Sequence, residues 1–411
     1  MNSPSPKRGY HMLSARRGLI ARAVSRIFHR ILDRLDAGIE AGALEAILPD
    51  GTFRVLGARA PGTLVHVNLN SWRALIRLGQ SGSVGWYQAW EAGEWDSPDP
   101  VPLFDLFMRN RVSLGSSARA SGFSRLIKRA AHALRRNDSK GAKRNIMAHY
   151  DLGNDFYECW LDPTMSYSSA LFEDGDTLEG AQQHKMAALM ARLDLKPGSN
   201  ILEIGCGWGA FAKLCAEGGH EVTAITLSPS QKLHAEAAVA GMANAPTYQL
   251  LDYRDVRGSY DAIASIEMVE AVGQAYWPAY LDVIARSLKP GARAAIQFIM
   301  IADDIFERYA QSADFIQTYV FPGGMLLSES RFRALAEARG LVWDAPQHFG
   351  IDYAETLKLW RERFDDAVEA GRLPNGFDER FIKLWRYYLM YCEGGFRGGG
   401  IDVAQVTLIK Q

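Results

Sequence analysis

The segment with the clearest chemistry is Leu202–Gly209, in which an apolar run leads into three closely spaced glycines. A glycine-rich turn between a buried strand and a helix lets a ligand approach bare backbone, and it aims helix N-terminal N–H groups at that ligand. The G-x-G-x-x-G spacing that cradles a pyrophosphate is absent, because Ala210, Phe211 and Ala212 follow the third glycine. A nucleoside without a pyrophosphate fits better, and we expect S-adenosylmethionine.

Parallel strands must position this turn. Three strand-like runs follow it, at Glu221–Thr226, Thr247–Leu251 and Asp261–Ile266, and helical patterns separate them. This alternation predicts an α/β fold with a doubly wound parallel sheet. Ligands of such sheets bind beyond the carboxyl ends of the strands. The residues at those ends, which should line one pocket, are Gly205, Thr226, Leu251, Asp252, Ile266 and Glu267.

Length and composition indicate two domains, since the chain has 411 residues and 48% hydrophobic content. We expect an N-terminal domain over residues 1–112, a basic linker over 113–144 and a larger domain over 145–411. The net charge of −1 does not identify a partner. The four cysteines lack metal-ligand spacing, which argues against a metal site and fits a reducing cytoplasm. No apolar run approaches the roughly 18 residues of a membrane helix, and we expect neither a membrane span nor a secretory signal.

Two basic amphipathic segments indicate contact with an anionic lipid surface. In Ser14–Asp36, apolar residues recur at three- and four-residue steps between arginines. A helix docked on its own domain with a solvated basic face explains the same pattern. Phe123–Arg144 carries a second basic stripe after a linker rich in serine, glycine and alanine. RNA could use this charge, but no base-stacking aromatics are interleaved with it, so nucleic acid is not expected.

Nine segments resemble the cyclopropane-fatty-acid synthase family of S-adenosylmethionine-dependent enzymes, which includes the mycolic-acid cyclopropane synthases and enzymes that add methyl branches to fatty acyl chains. In chain order they are His149–Tyr157, Met165–Ala170, Leu202–Gly209, Thr226–Gln231, Leu251–Asp255, Glu267–Gly273, Tyr319–Gly324, Phe349–Tyr353 and Tyr391–Arg397. The resemblance covers roughly residues 145–411. It implies a class I (Rossmann-like) methyltransferase with a mostly parallel sheet, behind a smaller N-terminal α/β domain.

The resemblance also implies which residues hold S-adenosylmethionine. The glycine-rich turn would lie against the methionine portion of S-adenosylmethionine, Gln231 would contact the ribose, and Asp252 or Tyr253 would contact the adenine edge. A helix cap is the alternative role for Asp252. Tyr167 and Ser168 would close over the cofactor. The whole implied set is Tyr167, Ser168, Gly205, Cys206, Gly207, Trp208, Gly209, Thr226, Gln231, Asp252 and Tyr253.

The reaction implied by the resemblance is methyl transfer to an unactivated alkene, which leaves a carbocation on the neighbouring carbon. Aromatic faces stabilise such a cation, and a base decides which proton leaves. The aromatic candidates are Tyr353, Tyr167, Phe298 and Tyr319.

Family members that close cyclopropane rings use a bound bicarbonate as the base, held by a glutamate, a tyrosine, a histidine, an isoleucine and a cysteine. The glutamate falls on Glu270, the tyrosine on Tyr353 and the isoleucine on Ile299. The chain departs from this pattern at two positions, with Ser169 for the cysteine and Gln297 for the histidine. Neither replacement has a titrating imidazole, so a bicarbonate site would be weakened or differently poised. These departures favour a methyl-branched product over a cyclopropane.

Two other family positions each allow two interpretations. Cys392 falls on a cysteine long proposed as catalytic, yet methyl transfer to an alkene needs no covalent nucleophile, and a buried structural cysteine is the alternative. His149 would lie near the cofactor, cap a helix or donate a hydrogen bond in the core.

These inferences combine into one prediction. We expect a cytoplasmic enzyme, peripheral on the inner membrane surface, that modifies the cis double bond of a phospholipid acyl chain. A reductase or desaturase that acts on the product is an open possibility as a partner, and so is a homodimer. Two other classes also stay open, a soluble methyltransferase for RNA or a small molecule and a cofactor-binding scaffold that has lost catalysis.

Overall fold

The computed structural model describes residues 11–12, 19–115, 152–311 and 313–411. The chain divides into two compact units. The first is drawn from Met1–Ala131, Glu307–Tyr319 and Phe377–Gly400, and the second from His132–Phe306, Val320–Gly376 and Ile401–Gln411. The basic segment Phe123–Arg144 and the candidate His149 lie outside the described residues. The domain boundaries at residues 112 and 144 stay a prediction.

The first unit carries a five-stranded sheet in the order β1-β3-β2-β4-β5. Its strands are β1 His11–Met12, β2 Ala41–Ile47, β3 Thr52–Gly57, β4 Ala60–Leu69 and β5 Trp95–Asp96. Its described helices are Leu19–Gly38, Arg73–Ser81, Ser83–Glu91, Val101–Arg109, Arg111–Leu114, Phe315–Tyr319 and Glu379–Arg397. The helix Asp303–Ala310 contains residues of both units.

The helix predicted over Ser14–Asp36 is observed over Leu19–Gly38, and it is docked on its own unit. Phe28, Leu32 and Leu35 are buried, because steps of four and three residues place them on one helix face. The ring of Phe28 stacks on Trp72 with centroids 4.9 Å apart. Ile27 and Ile31, which also follow the three- and four-residue steps between arginines in Ser14–Asp36, are exposed instead.

The second unit carries a seven-stranded sheet in the order β11-β12-β10-β9-β6-β7-β8. Its strands are β6 Asn200–Ile204, β7 Glu221–Thr226, β8 Thr247–Leu250, β9 Tyr260–Ile266, β10 Leu288–Ile301, β11 Leu341–His348 and β12 Ile401–Lys410. Strands β8, β7, β6, β9 and β10 pair in parallel, and β12 pairs antiparallel with β10 and β11. The predicted α/β fold with a mostly parallel sheet is therefore confirmed.

Helices flank this sheet and complete its core. In the described residues they are Asn154–Glu158, Leu178–Arg192, Ala210–Glu217, Pro229–Ala238, Trp277–Ser287, Glu329–Glu337 and Gly350–Glu369. Apolar residues of β6, such as Ile201, pack with Leu189 and Phe211 from the helices on either side of that strand in sequence. None of the described helices is long and apolar enough to cross a membrane.

Candidate active site

A pocket lies at the carboxyl ends of β6, β7 and β9, where neighbouring parallel strands bring their loops together. Nine of the eleven residues implied for the cofactor line it. They are Tyr167, Ser168, Gly205, Cys206, Gly207, Trp208, Thr226, Gln231 and Tyr253. Gly209 and Asp252 are not among the lining residues in the described part of the chain.

The glycines of the turn serve different purposes. Gly207 has φ +53° and no atom within 4 Å of a Cβ added there, so a side chain at this position would enter open space. A Cβ on Gly205 would instead lie 2.5 Å from Cγ of Met268. A Cβ on Gly209 would lie 2.7 Å from the hydroxyl of Tyr248. Gly207 therefore leaves room beside the turn, whereas Gly205 and Gly209 are required by close packing.

The loop after β7 positions Gln231. The hydroxyl of Thr226 donates to Oε1 of Gln231 at 2.8 Å, and Ser228 accepts from the Gln231 N–H at the start of the helix Pro229–Ala238. Because Thr226 occupies the amide oxygen, the amide N–H groups of Gln231 are the donors available to a ligand in the pocket. A ribose hydroxyl is a suitable acceptor.

Asp252 takes the alternative role of a helix cap. It accepts from the backbone N–H of Arg254 at 3.0 Å and from the Arg254 guanidinium at 2.8 and 2.6 Å. Burial acts to raise its pKa, but the hydrogen bonds from Arg254 hold it below the usual value. Tyr253, the next residue, lines the pocket and is the better candidate for the adenine edge.

Two buried ionisable side chains line the pocket, and the sequence reasoning missed both. Lys185 donates from Nζ to the hydroxyl of Ser168 at 2.7 Å, and Glu203 lies within β6. Burial lowers the pKa of Lys185 to about 8 and raises the pKa of Glu203 to about 8. A buried amine and a buried carboxyl group suit a ligand that carries a carboxylate and an amino group. An acidic residue within an otherwise apolar strand was the available signal for Glu203.

Glu267, which the sequence reasoning placed only at the end of a strand, is the centre of a hydrogen-bonded cradle. Its Oε1 accepts from the Ser169 N–H at 2.8 Å and from Nε2 of Gln297 at 2.8 Å. Its Oε2 accepts from the Tyr353 hydroxyl at 2.7 Å. Burial raises the pKa of Glu267, and these three hydrogen bonds together with the charge of Lys185 oppose that rise.

The backbone of Glu267 is also unusual. The residue has φ +48°, in the left-handed region that side chains other than glycine rarely adopt. Its N–H donates to the carbonyl of Gln297 at 2.8 Å, which holds the chain in this conformation beside β10. Such conformations cluster at functional sites, where the surrounding structure maintains them.

Glu270 lies one turn further on, in the short 3-10 helix Val269–Ala271. Its Oε1 accepts from the Ile299 N–H, and its Oε2 has no partner among the described residues. Burial, followed by the negative charge of Glu267, raises the pKa of Glu270 to about 8. With three donors on Glu267 and one on Glu270, the environments favour a carboxylate at the first and a neutral acid at the second.

The sheet register brings Gln297 to this cradle and takes Phe298 away from it. Gln297 lies beside Ile266 of β9 in the parallel pairing. Successive strand side chains point to opposite faces, so Phe298 packs against Phe332 and Trp343, each with ring centroids 5.8 Å away. Phe298 therefore lies away from the cradle, contrary to the sequence expectation.

An aromatic cluster surrounds Tyr167 at the pocket wall. Its ring centroid lies 5.2 Å from Trp360, 5.4 Å from Tyr157 and 5.6 Å from Trp160. Tyr353, which holds Glu267, meets Trp360 edge-on at 6.1 Å. The cluster forms an apolar, electron-rich surface that excludes water and can stabilise a cation.

Cys392 and Tyr319 belong to the first unit, whereas the pocket and the cradle belong to the second. Cys392 lies on the helix Glu379–Arg397, where burial and then the charge of Asp314 raise the pKa of its thiol above the usual value. A thiol with a raised pKa is a poor nucleophile at neutral pH, which favours a structural role. The hydroxyl of Tyr319 accepts from Nε2 of Gln88 at 3.0 Å.

Fold and pocket together define a class I S-adenosylmethionine-dependent methyltransferase. The profile of the mycolic acid cyclopropane synthetase family matches residues 137–406. The chain therefore belongs to this family. It is 34% identical to the tuberculostearic acid methyltransferase of Mycobacterium tuberculosis over 96% of this chain and 93% of that protein. It is 33% identical to the cyclopropane-fatty-acyl-phospholipid synthase of Escherichia coli over 81% of this chain and 85% of that protein.

Solved structures agree with this assignment. A mycolic acid cyclopropane synthase complexed with SAH and CTAB matches with a TM-score of 0.61 and 32% identity, over 65% of this chain and 98% of that one. Coclaurine N-methyltransferase matches with a TM-score of 0.59 at 19% identity, over 79% of this chain and 98% of that one, which reflects the shared fold. The expected co-substrate, S-adenosylmethionine, is thereby confirmed.

Proposed function

We propose that the protein methylates the cis double bond of an unsaturated acyl chain in membrane phospholipids and gives a methyl-branched product. The observation that carries this proposal is the cradle around Glu267. Three family positions associated with bicarbonate, which correspond here to Ser169, Gln297 and Tyr353, all donate hydrogen bonds to the Glu267 carboxylate. The chain thus supplies its own carboxylate where ring-closing members hold an external one.

The pocket fits S-adenosylmethionine, whose sulfonium supplies an electrophilic methyl group when it is bound. Gly207 leaves room beside the turn, Gln231 offers amide donors, and Tyr253, which lines the pocket, would contact the adenine edge. Lys185 and Glu203 complement the carboxylate and amino groups of the methionine portion. Tyr167 would cover the sulfonium end, and the aromatic rings around it would exclude water.

Glu267 acts as the base in this proposal. Methylation of the alkene leaves a positive charge on the neighbouring carbon, and a carboxylate beside it both stabilises that charge and accepts a proton. Every partner of Glu267 in the cradle is a donor, which suits the ionised form. Glu270, with its raised pKa, is neutral near pH 7 and leaves the negative charge on Glu267.

The cradle also favours an active enzyme over a cofactor-binding scaffold that has lost catalysis. Ser169 and Gln297 replace a cysteine and a histidine of the family pattern, which on sequence alone reads as loss of function. The side chain of Gln297 donates to Glu267, which makes this replacement part of a rearranged site, and Ser169 contributes its backbone N–H. The relative that matches 96% of the chain is named a methyltransferase, which supports the branched product.

A membrane location follows from the substrate. On the helix Leu19–Gly38, exposed Ile27 and Ile31 stand beside exposed Arg30 and Arg34. This combination of apolar and basic side chains suits an anionic lipid surface at the cytoplasmic face of a membrane.

Product analysis tests the proposal. The protein is expressed in a host that makes monounsaturated phospholipids, and the acyl esters are analysed by gas chromatography and mass spectrometry. We expect a gain of one CH₂ that mild hydrogenation converts to a saturated methyl branch. A hydrogenation-resistant ring would refute the branched product. No modified acyl chain, combined with methylation of RNA or a small molecule by the same preparation, would refute the lipid substrate.

A further inference from the structure

A row of polar side chains crosses the sheet behind Glu267. Gln347 of β11 pairs with Gln405 of β12, and Gln405 pairs with Gln297 of β10. Gln297 lies beside the end of β9, which leads into Glu267. Gln405 and Gln297 are both completely buried. Polar side chains in the middle of a sheet core carry a desolvation cost, which makes their hydrogen bonds informative.

The direction of each hydrogen bond in this row is fixed at Gln405. Arg192, which can only donate, donates from Nε to Oε1 of Gln405 at 3.2 Å. The carbonyl of Lys185, which can only accept, takes a hydrogen bond from Nε2 of Gln405 at 3.1 Å. The amide of Gln405 therefore has a single orientation that satisfies both neighbours. In this orientation Nε2 also donates to Oε1 of Gln297 at 3.1 Å.

The orientation passes from one amide to the next. Because the oxygen of Gln297 faces Gln405, its Nε2 faces the site, where it donates to Oε1 of Glu267 at 2.8 Å and to the Ser169 carbonyl at 3.2 Å. A reversed Gln297 amide would direct an oxygen at the carboxylate instead.

We propose that Gln405 is a positioning residue. It holds the Gln297 amide with its N–H groups toward Glu267 and thereby keeps the Glu267 carboxylate ionised, as a hydrogen-bond acceptor. Gln405 is not among the pocket-lining residues of the described chain, and it acts through Gln297. This inference rests on the proposed function for the role of Glu267 as base. The other titratable groups that face Glu267 are Lys185, Glu270 and Tyr353.

Two substitutions at Gln405 and one control test the proposal. In Gln405→Glu, the new carboxylate still accepts from Arg192 but cannot donate to Gln297, so the Gln297 amide turns toward it. Gln405→Met removes the donor without adding a charge. Gln347→Glu is the control for a carboxylate beside Arg192, because the exposed Gln347 also accepts from Arg192, at 3.0 Å, but lies outside the path to Glu267; Gln405→Met controls for the charge that Gln405→Glu buries.

The readout is the pH titration of the Glu267 carboxyl band in infrared difference spectra of the full-length enzyme, assigned by its loss in Glu267→Gln. We expect the midpoint to rise by about one to two pH units in Gln405→Glu and by about half a unit to one unit in Gln405→Met, as the loss of one hydrogen bond predicts. The acid limb of the kcat profile should move with it, while KM for S-adenosylmethionine stays within about twofold.

Equal midpoints in Gln405→Glu and Gln347→Glu would overturn the inference, as would an unshifted midpoint in Gln405→Met. The infrared titration needs no substrate, so it separates this inference from the proposed function. A shifted midpoint in an enzyme that modifies no acyl chain would leave Gln405 as a positioning residue and remove the function proposed for the site.

Discussion

Replacing Glu267 by glutamine removes the proposed base with little change in shape. The new amide oxygen can accept from Ser169 and Gln297, and its NH₂ group can donate to Tyr353, whose hydroxyl rotates. Since all three contacts can be kept, the free energy of unfolding should change by no more than about 1 kcal/mol. Turnover should fall by about 10²–10⁴, the typical loss for a general base.

Glu270→Gln is the comparison variant. The pKa of Glu270 is about 8, so its side chain is already neutral near pH 7, and a neutral amide resembles it. We expect this variant to lose less than about tenfold in turnover, well short of the loss of a general base. The assay measures methyl incorporation from labelled S-adenosylmethionine into unsaturated phospholipid vesicles, with cofactor affinity measured by calorimetry.

Chemical rescue separates loss of the base from loss of the site. Glu267→Gly leaves the donors of Ser169, Gln297 and Tyr353 facing an empty volume, and added bicarbonate can accept from all three. We expect bicarbonate to restore part of the turnover in Glu267→Gly and none in Glu267→Gln. Wild-type turnover in Glu267→Gln at pH 7, or a larger loss in Glu270→Gln, would refute the assignment of Glu267 as the base.

Three other sets of variants test separate parts of the account. Gly207→Val should weaken S-adenosylmethionine binding in calorimetry and lower the melting temperature modestly, because Gly207 has φ +53°, whereas Gly205→Val should lower the melting temperature further because its Cβ also meets Met268; equal effects would contradict the pocket geometry. Tyr353→Phe removes a donor to the proposed base, so the acid limb of the kcat profile should rise by about one pH unit; a fixed limb would contradict that contact. Arg30→Glu with Arg34→Glu should reduce co-sedimentation with anionic liposomes at low salt and leave turnover on detergent-dispersed lipid intact; unchanged binding would remove the helix from the membrane contact.

The sheet and the cofactor pocket could be predicted from local sequence. The strand Glu221–Thr226 was predicted with its observed bounds, and the glycine turn lines the pocket as expected. These features depend on residues that are close in the sequence, where apolar periodicity and turn glycines are informative. Successive side chains of a strand point to opposite faces of the sheet. With the register of β10 known, this alternation would have excluded Phe298 from the active site.

The cradle could not be predicted in the same way. Ser169, Glu267, Gln297 and Tyr353 come from four separate segments, and their contacts depend on sheet register and helix placement. The family pattern predicted a catalytic role for Glu270, whereas Glu267 was predicted only to lie at the end of a strand. The Gln297 departure appeared as a loss because the carboxylate that its side chain holds was not yet placed beside it. The Ser169 hydroxyl donates to the Ala170 carbonyl, and the structure gives no reason for this departure.

The most direct test of the central claim uses S-adenosylmethionine with a trideuterated methyl group and vesicles of monounsaturated phospholipid. Ring closure removes one proton from the new methyl group, whereas branch formation removes a proton from the acyl chain. The account predicts that the product retains all three deuterium atoms, measured by mass spectrometry of the acyl esters. A product that retains only two has lost a proton of the new methyl group and would contradict the account; resistance to mild hydrogenation would identify it as a cyclopropane, and uptake of hydrogen as a methylene branch.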